Sequence, residues 1–198
     1  MRAIERLSIK EAAALAGLSE RAIRNEIERG VIRVERRSRG QGSAVALPRG
    51  AVLYFRLLKD VRVKLPRADR SALYHLLADE RGESGAWRRD RHVLRRGPLV
   101  LDARAIRGDV ERELRAYETG RHKVVAHPDT LGGEPVFAGT RVAVRHVGKL
   151  ALRGVPASEI KADYPALGDD DIAFAAVFAR MKPGPGRPRR LRFRRAAA

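Results

Sequence analysis

Along the first thirty residues the apolar positions recur three and four apart. Ile9, Ala12, Ala13 and Ala16 share one face, and after Gly17 the residues Ala22, Ile23 and Ile27 share another, a pattern that predicts two successive helices. Ser8 and Glu11 have the spacing of a capping box at the first helix start. Gly17 suits the left-handed residue that ends it. Ser19 is placed to cap the second helix, and Gly30 stops it near Arg29. The small alanines let the second helix cross the first closely. Residues 32–35 and 44–47 then read as short strands around a basic segment, 36–43, so a hairpin is expected. A further helix over 49–58 places Val52, Leu53 and Leu57 beneath it.

Beyond this module the spacing predicts a short helix over 69–79 with Leu73, Leu76 and Leu77 inward, a loop at Glu83-Ser84-Gly85, and a hairpin from 92–94 and 99–101. A helix over 103–119 follows, with Ile106, Val110, Leu114 and Tyr117 on its apolar face. Nothing in this middle segment names a chemistry. It reads as a connector, with dimerisation through the long helix as its further role. Two β-like runs, 123–126 and 141–144, flank HPDTLGGEPVFAGT, and helices are expected over 145–152, 157–163 and 169–181. Gly132, Gly133 and Gly139 accept positive φ, while Pro128 and Pro135 fix φ near −65°, so the stretch is read as backbone-shaping. The fold class expected is mainly α with short β-hairpins, an α+β chain. Its expected segments are 1–67, 68–121, 122–181 and a basic tail, 182–198.

Charge sharpens this division. The chain of 198 residues carries 42 Lys plus Arg against 24 Asp plus Glu, a formal net charge of +18, which predicts attraction to polyanions, nucleic acid first. Residues 1–67 hold 16 basic against 7 acidic groups, whereas 126–181 hold 6 against 7 and 182–198 hold 7 against none. Two polyanion-seeking ends therefore flank a nearly neutral region. With no cysteine, disulfides and thiolate zinc sites are excluded. The longest apolar run, 172–179, is far below the roughly 18 residues of a membrane span, and the N-terminus lacks the apolar core of a signal peptide, so a cytoplasmic protein without membrane partners is expected.

The second helix would show Glu20, Arg21, Arg24, Asn25 and Glu28 outward. Arginine can grip guanine bidentately and asparagine adenine, which makes this face a major-groove reader on chemical grounds. The residues expected to contact DNA are Ser19, Arg21, Arg24 and Asn25 on that helix, and Arg33, Arg36, Arg37, Arg39 and Gln41 on the basic hairpin. At LSIKEAAALAGLSERAIRNEIERGVIRVERR the chain resembles the winged helix-turn-helix of MerR-type and excisionase-like DNA-binding proteins, over about residues 5–60. Such helix pairs also serve as protein–protein modules.

HPDTLGGEPVFAGTRVAV, with the following LALRGVPASEIKADYPALGDDDIAFAAVFA, resembles a small helical, helix-turn-helix-like domain of unknown function widespread in VapB-type antitoxins. Gly132, Gly133, Pro135, Gly139, Thr140 and Arg141 are the residues that carry the likeness. The resemblance implies an antitoxin that sequesters a PIN-like ribonuclease toxin and represses its own operon by binding operator DNA as a homodimer. The alternative is a stand-alone MerR-like regulator without a toxin partner. Three readings of the tail stay open. Arg187, Arg189, Arg190, Arg192, Arg194 and Arg195, with Phe193 as an apolar anchor, would neutralise the clustered carboxylates of such a toxin. Gly186-Arg187-Pro188 resembles an AT-hook for narrow minor grooves. A solvated basic tail is the third.

No enzyme is expected. His122 and His127 read as surface or turn histidines rather than metal ligands, and Asp169-Asp170-Asp171 is explained by helix capping and the helix dipole. Gly132 to Arg141 lacks the strand–loop–helix context and the Gly-Lys-Ser/Thr of a phosphate loop. Neither a cofactor nor a metal is called for.

Overall fold

The computed structural model describes residues 6–32, 34–39, 42–60, 64–78, 83–128 and 130–181, with backbone alone for 35–39, 42–44 and 83. The chain is α+β, with eight α-helices and nine short strands among the described residues. It forms two compact units, Met1–Glu111 and Arg112–Ala198, and the boundary falls inside one long helix. The expected connector is therefore shared: 68–111 packs with the N-terminal helices and 112–121 belongs to the C-terminal unit.

In the first unit β1 (Arg6–Leu7) leads into α1 (Ile9–Ala16). Its start is a capping box, in which Glu11 N–H donates to Ser8 Oγ at 3.2 Å and Ser8 N–H donates to Glu11 Oε2 at 2.8 Å. Ala12, Ala13, Ala14, Leu15 and Ala16 are all buried, so the second half of α1 is enclosed on every side. Gly17 takes φ 66°, and the Leu18 N–H folds back to the Ala13 carbonyl at 3.0 Å. That reversal starts α2 (Glu20–Glu28) after three residues. The hairpin of β2 (Glu35–Arg39) and β3 (Gly42–Pro48) follows, with β3 central and β1 on its other side.

The helix α3 (Ala51–Asp60) contributes Val52, Leu53, Tyr54, Phe55 and Leu57 to the core. It also closes α1: Arg56 Nη2 donates to the Leu15 carbonyl at 2.8 Å, a cation where the helix dipole favours one. Helix α4 (Arg67–Ala78) packs Leu73, Tyr74, Leu76 and Leu77 inward. A four-stranded antiparallel sheet completes the unit, β4 (Glu83–Ser84), β5 (Trp87–Asp90), β6 (Val93–Arg96) and β7 (Leu99–Asp102). The expected loop at Glu83-Ser84-Gly85 is thus an edge strand and a turn. The fully buried Trp87 draws 87–90 into the sheet despite Arg88, Arg89 and Asp90.

Helix α5 (Arg104–His122) runs from the first unit into the second, and Val110, Leu114 and Tyr117 are already buried within the chain. In the second unit β8 (Val124–Val125) pairs with β9 (Val136–Phe137), not with the expected run 141–144, of which Ala143 alone makes a bridge, to Val136. The helices α6 (Val144–Leu152), α7 (Ala157–Asp163) and α8 (Asp169–Arg180) follow. Helices α6 and α8 approach closely at Gly148, where an added Cβ would strike the Ala175 carbonyl oxygen and lie 2.6 Å from Ala179 Cβ. Gly120 of α5 likewise gives way to the Phe174 ring, which stacks on Tyr117 at 5.7 Å.

Because backbone meets backbone at Gly148, no side-chain rotation relieves a larger residue there. Gly148→Ala is expected to destabilise the second unit by about 1–3 kcal/mol, measured by urea unfolding of the full chain. An unchanged midpoint would mean that the two helices separate without cost.

Candidate functional site

The exposed surface of α2 is set by what the helix buries. Ile23 is fully enclosed, Ala22 and Ile27 are half-buried, and the remaining inward position is Glu26, only 9% exposed. A buried carboxylate costs several kcal/mol unless it is paired and hydrogen-bonded. Both conditions are met: Tyr54 Oη donates to Glu26 Oε2 at 2.9 Å, and Arg70 Nη1 lies 2.6 Å from Glu26 Oε1. Burial first, and then the Glu26 carboxylate, push the Tyr54 hydroxyl pKa well above its ordinary value. This network was not legible at Glu26, whose residue type reads as surface.

Rotation about the α2 axis is thereby fixed, and Arg21, Arg24 and Glu28 stand outward. Arg24 is 52% exposed and its Nη2 pairs with Glu20 Oε2 at 2.9 Å, one turn back. Such an exposed i,i+4 pair is worth only about 0.3–0.5 kcal/mol, so exchange for another partner is cheap. Arg21 has no hydrogen-bond or ion-pair partner among the described residues. Asn25 is half-buried, and Ser19 Oγ is occupied as N-cap, accepting from the Ala22 N–H at 3.2 Å. The helix face thus keeps Arg21 and Arg24 as its accessible cations, with the exposed Ser19 at its N-cap.

Arg36, Arg37 and Arg39 belong to the expected basic hairpin, whose strands run further into 36–43 than 32–35 and 44–47, so that all three lie on β2, its outer strand. Opposite them in register are Val45, Ala44 and Gly42. Arg33 and Gln41 lie outside the described residues. So do the tail residues Arg187, Arg189, Arg190, Arg192, Phe193, Arg194 and Arg195.

In the second unit the Gly-rich stretch is a folded turn. Leu131, Gly132 and Gly133 all take positive φ, 47°, 64° and 85°, within one short 3-10 turn. Leu131 does so as a branched residue that is 49% exposed. Pro135 accepts from the Val144 N–H at 3.0 Å, which docks the start of α6. Gly139 is the positive-φ residue of the next turn, where Thr140 Oγ1 donates to the Phe137 carbonyl and accepts from the Val142 N–H. Arg141 is exposed. Two of the three acids at the α8 start have structural partners: Asp171 caps the Gly168 N–H and pairs with Lys123 at 2.9 Å, and Asp169 pairs with Lys161 at 2.8 Å. Among the described residues, no group of three or more His, Asp or Glu could hold a metal ion, and no helix is long and apolar enough to cross a membrane.

Residues 124–179 match the family described as Protein of unknown function (DUF433). Its limits coincide closely with the run from β8 to α8, so it is this second unit's turn and helices that the likeness concerns. The chain is also 31% identical over 91 residues to the uncharacterized protein y4eO of Sinorhizobium fredii (strain NBRC 101917 / NGR234), a match covering 46% of this chain and 41% of that protein. The chain thus spans less than half the length of that relative. No solved structure matches the chain.

Tyr54→Phe removes a buried hydrogen bond to a charged acceptor and is expected to cost about 1.5–3 kcal/mol in denaturant unfolding near neutral pH. The raised folded pKa favours the protonated phenol, so its stabilising contribution is whole below about pH 10 and is lost as pH rises past that value. The alkaline decline in stability should accordingly be shallower in the variant, by up to about 1.4 kcal/mol per pH unit. Equal alkaline slopes for both proteins would remove Tyr54 as the cause.

Proposed function

We propose that the chain is a DNA-binding repressor of the antitoxin kind, whose first unit is a winged helix-turn-helix and whose second unit docks a protein partner. The observation that carries the DNA reading is the pairing of two features in one unit. Helix α2 is held by a buried network with Arg21 and Arg24 outward, and β2 adds Arg36, Arg37 and Arg39 along the outer strand of the hairpin. Helix side chains would read base edges in the major groove, and the strand arginines would neutralise phosphates. The uneven charge, +18 overall with a nearly neutral 126–181, supports placing the polyanion contact outside the segment from β9 to α8.

For the partner, the proposal is a PIN-like ribonuclease toxin, held by the second unit together with the basic tail. Two features support a protein contact there. Leu131 and Leu152 are large apolar side chains about half exposed, and Leu131 keeps a left-handed backbone that glycine would adopt without strain. A near-neutral surface with apolar positions suits a protein better than a polyanion. A stand-alone regulator would use the same first unit and lack the toxin.

Arg36→Ala with Arg37→Ala is expected to weaken binding to every duplex and to flatten the slope of log K against log salt by about 0.9 for each phosphate no longer neutralised. Arg24→Ala should instead remove about 1–3 kcal/mol of discrimination at one base pair. Salt slope and discrimination both unchanged would reject this interface. For the antitoxin half, co-expression of the full chain with the product of the adjacent gene should yield a stable complex containing a ribonuclease with a carboxylate active site. A neighbour that neither co-purifies nor cleaves RNA would leave the stand-alone regulator.

A further inference from the structure

The exposed face of α2 is not a simple phosphate grip. Glu20, Arg24 and Glu28 follow one another at four-residue spacing, so Arg24 stands between two carboxylates, with Arg21 beside it. Acids in this row repel phosphates, and an arginine flanked by them adds little to sequence-independent affinity. A carboxylate on a major-groove face has a narrower use, which is to accept from an exocyclic amine of a base.

The geometry of the ion pair narrows this further. A single hydrogen bond joins Arg24 Nη2 to Glu20 Oε2 at 2.9 Å. Glu20 Oε1 and Arg24 Nη1 have no partner among the described residues, and both side chains are well exposed, 38% and 52%. The pair therefore presents unfilled guanidinium donors beside an unfilled carboxylate acceptor. In the major groove a G·C pair offers two acceptors, guanine N7 and O6, followed by one donor, cytosine N4. An A·T pair offers an acceptor, a donor, an acceptor and a methyl group, which opposes the Arg24 donors with the adenine amine and leaves Glu20 facing the thymine oxygen.

We propose that Glu20 and Arg24 act as one reading unit for a G·C base pair, Arg24 donating to guanine O6 and N7 and Glu20 accepting from cytosine N4. The assignment rests on the DNA-binding reading of the first unit. Glu20 is the specificity-determining half: its carboxylate accepts from cytosine N4 and is opposed by the thymine oxygen of an A·T pair. The fixed rotation of α2 lets such a pair be aimed, because Glu26 is held inward by Tyr54 and Arg70 while residues 20 and 24 face out.

The test uses the full chain and a randomised duplex library about two helical turns long. Wild type, Glu20→Gln and Arg24→Ala are each selected on the library, and their affinities for the enriched duplex, its single-position G·C-to-A·T variant and an unselected mixture are measured by fluorescence anisotropy. Wild type should enrich a fixed G·C pair. Glu20→Gln should lower discrimination against A·T at that position roughly 10-fold while holding or raising affinity for the unselected mixture. Arg24→Ala should lose the guanine preference at the same position. Glu20 also suits a helix N-terminus, and a purely helix-stabilising Glu20 would lower the thermal midpoint in Glu20→Gln and leave base preference unchanged. Enrichment by wild type with the same preference retained in Glu20→Gln would overturn the pair assignment alone. Failure of wild type to enrich any sequence, or equal binding to all duplexes, would overturn the DNA reading and the assignment with it.

Discussion

The carboxylate of Glu26 has to be satisfied inside the first unit, and much of that unit is arranged around it. An amphipathic helix usually buries apolar residues alone. Here one inward position of α2 is ionic, and its partners come from α3 and α4, 28 and 44 residues further along the chain. Removing one member of a buried pair typically costs about 3–5 kcal/mol, because the other charge is stranded. An apolar contact at this position would tolerate small rotations of α2. A carboxylate with two directional partners does not, and so the outward residues are fixed as firmly as the inward one.

The constraint propagates through α4. Arg70 reaches Glu26, while the adjacent Asp69, also buried, takes Arg96 Nε of β6 at 2.6 Å and accepts at its backbone carbonyl from Trp87 Nε1 of β5 at 3.2 Å. Successive residues on one helix thus tie α2 on one side and the four-stranded sheet on the other. For this reason residues 68–111 fold with the N-terminal helices. Their packing contribution is a wall of the same core, with Tyr74 edge-on to Tyr54 at 5.3 Å.

What the sequence made legible is local chemistry. Ser8 with Glu11, Gly17 and Ser19 act within a few residues of themselves, and α7 spans the expected 157–163 because proline and glycine bound it on both sides. What stayed hidden depends on distant partners. Glu26 and Asp69 look like surface acids until Arg70 and Arg96 are brought to them. The strand β5 is masked by three consecutive charged residues, and its fully buried side chain is Trp87. Strand β9 is two residues between Pro135 and the Gly139 turn, too short for any period to show, so the neighbouring run 141–144 was the more strand-like stretch. At the candidate site, Arg21 and Arg24 were legible as exposed helix positions. That Asn25 is half-buried followed from packing.

A net charge of +18 counts every arginine alike, whereas the structure separates them by the strength of what already holds them. Arg70 and Arg96 pair with buried carboxylates, and Arg56 holds the end of α1, so drawing any of these to an outside anion would leave a buried group unsatisfied. Arg24 is held by an exposed pair of a few tenths of a kcal/mol, and Arg21 by no described partner. The difference is about tenfold in energy, and it assigns the cations to two groups before any ligand is considered. Those in the frame set where α2 points, and those on its surface are the ones whose partners can be exchanged on binding. A basic composition alone predicts attraction to any polyanion; selectivity among polyanions requires that only the second group be free to respond.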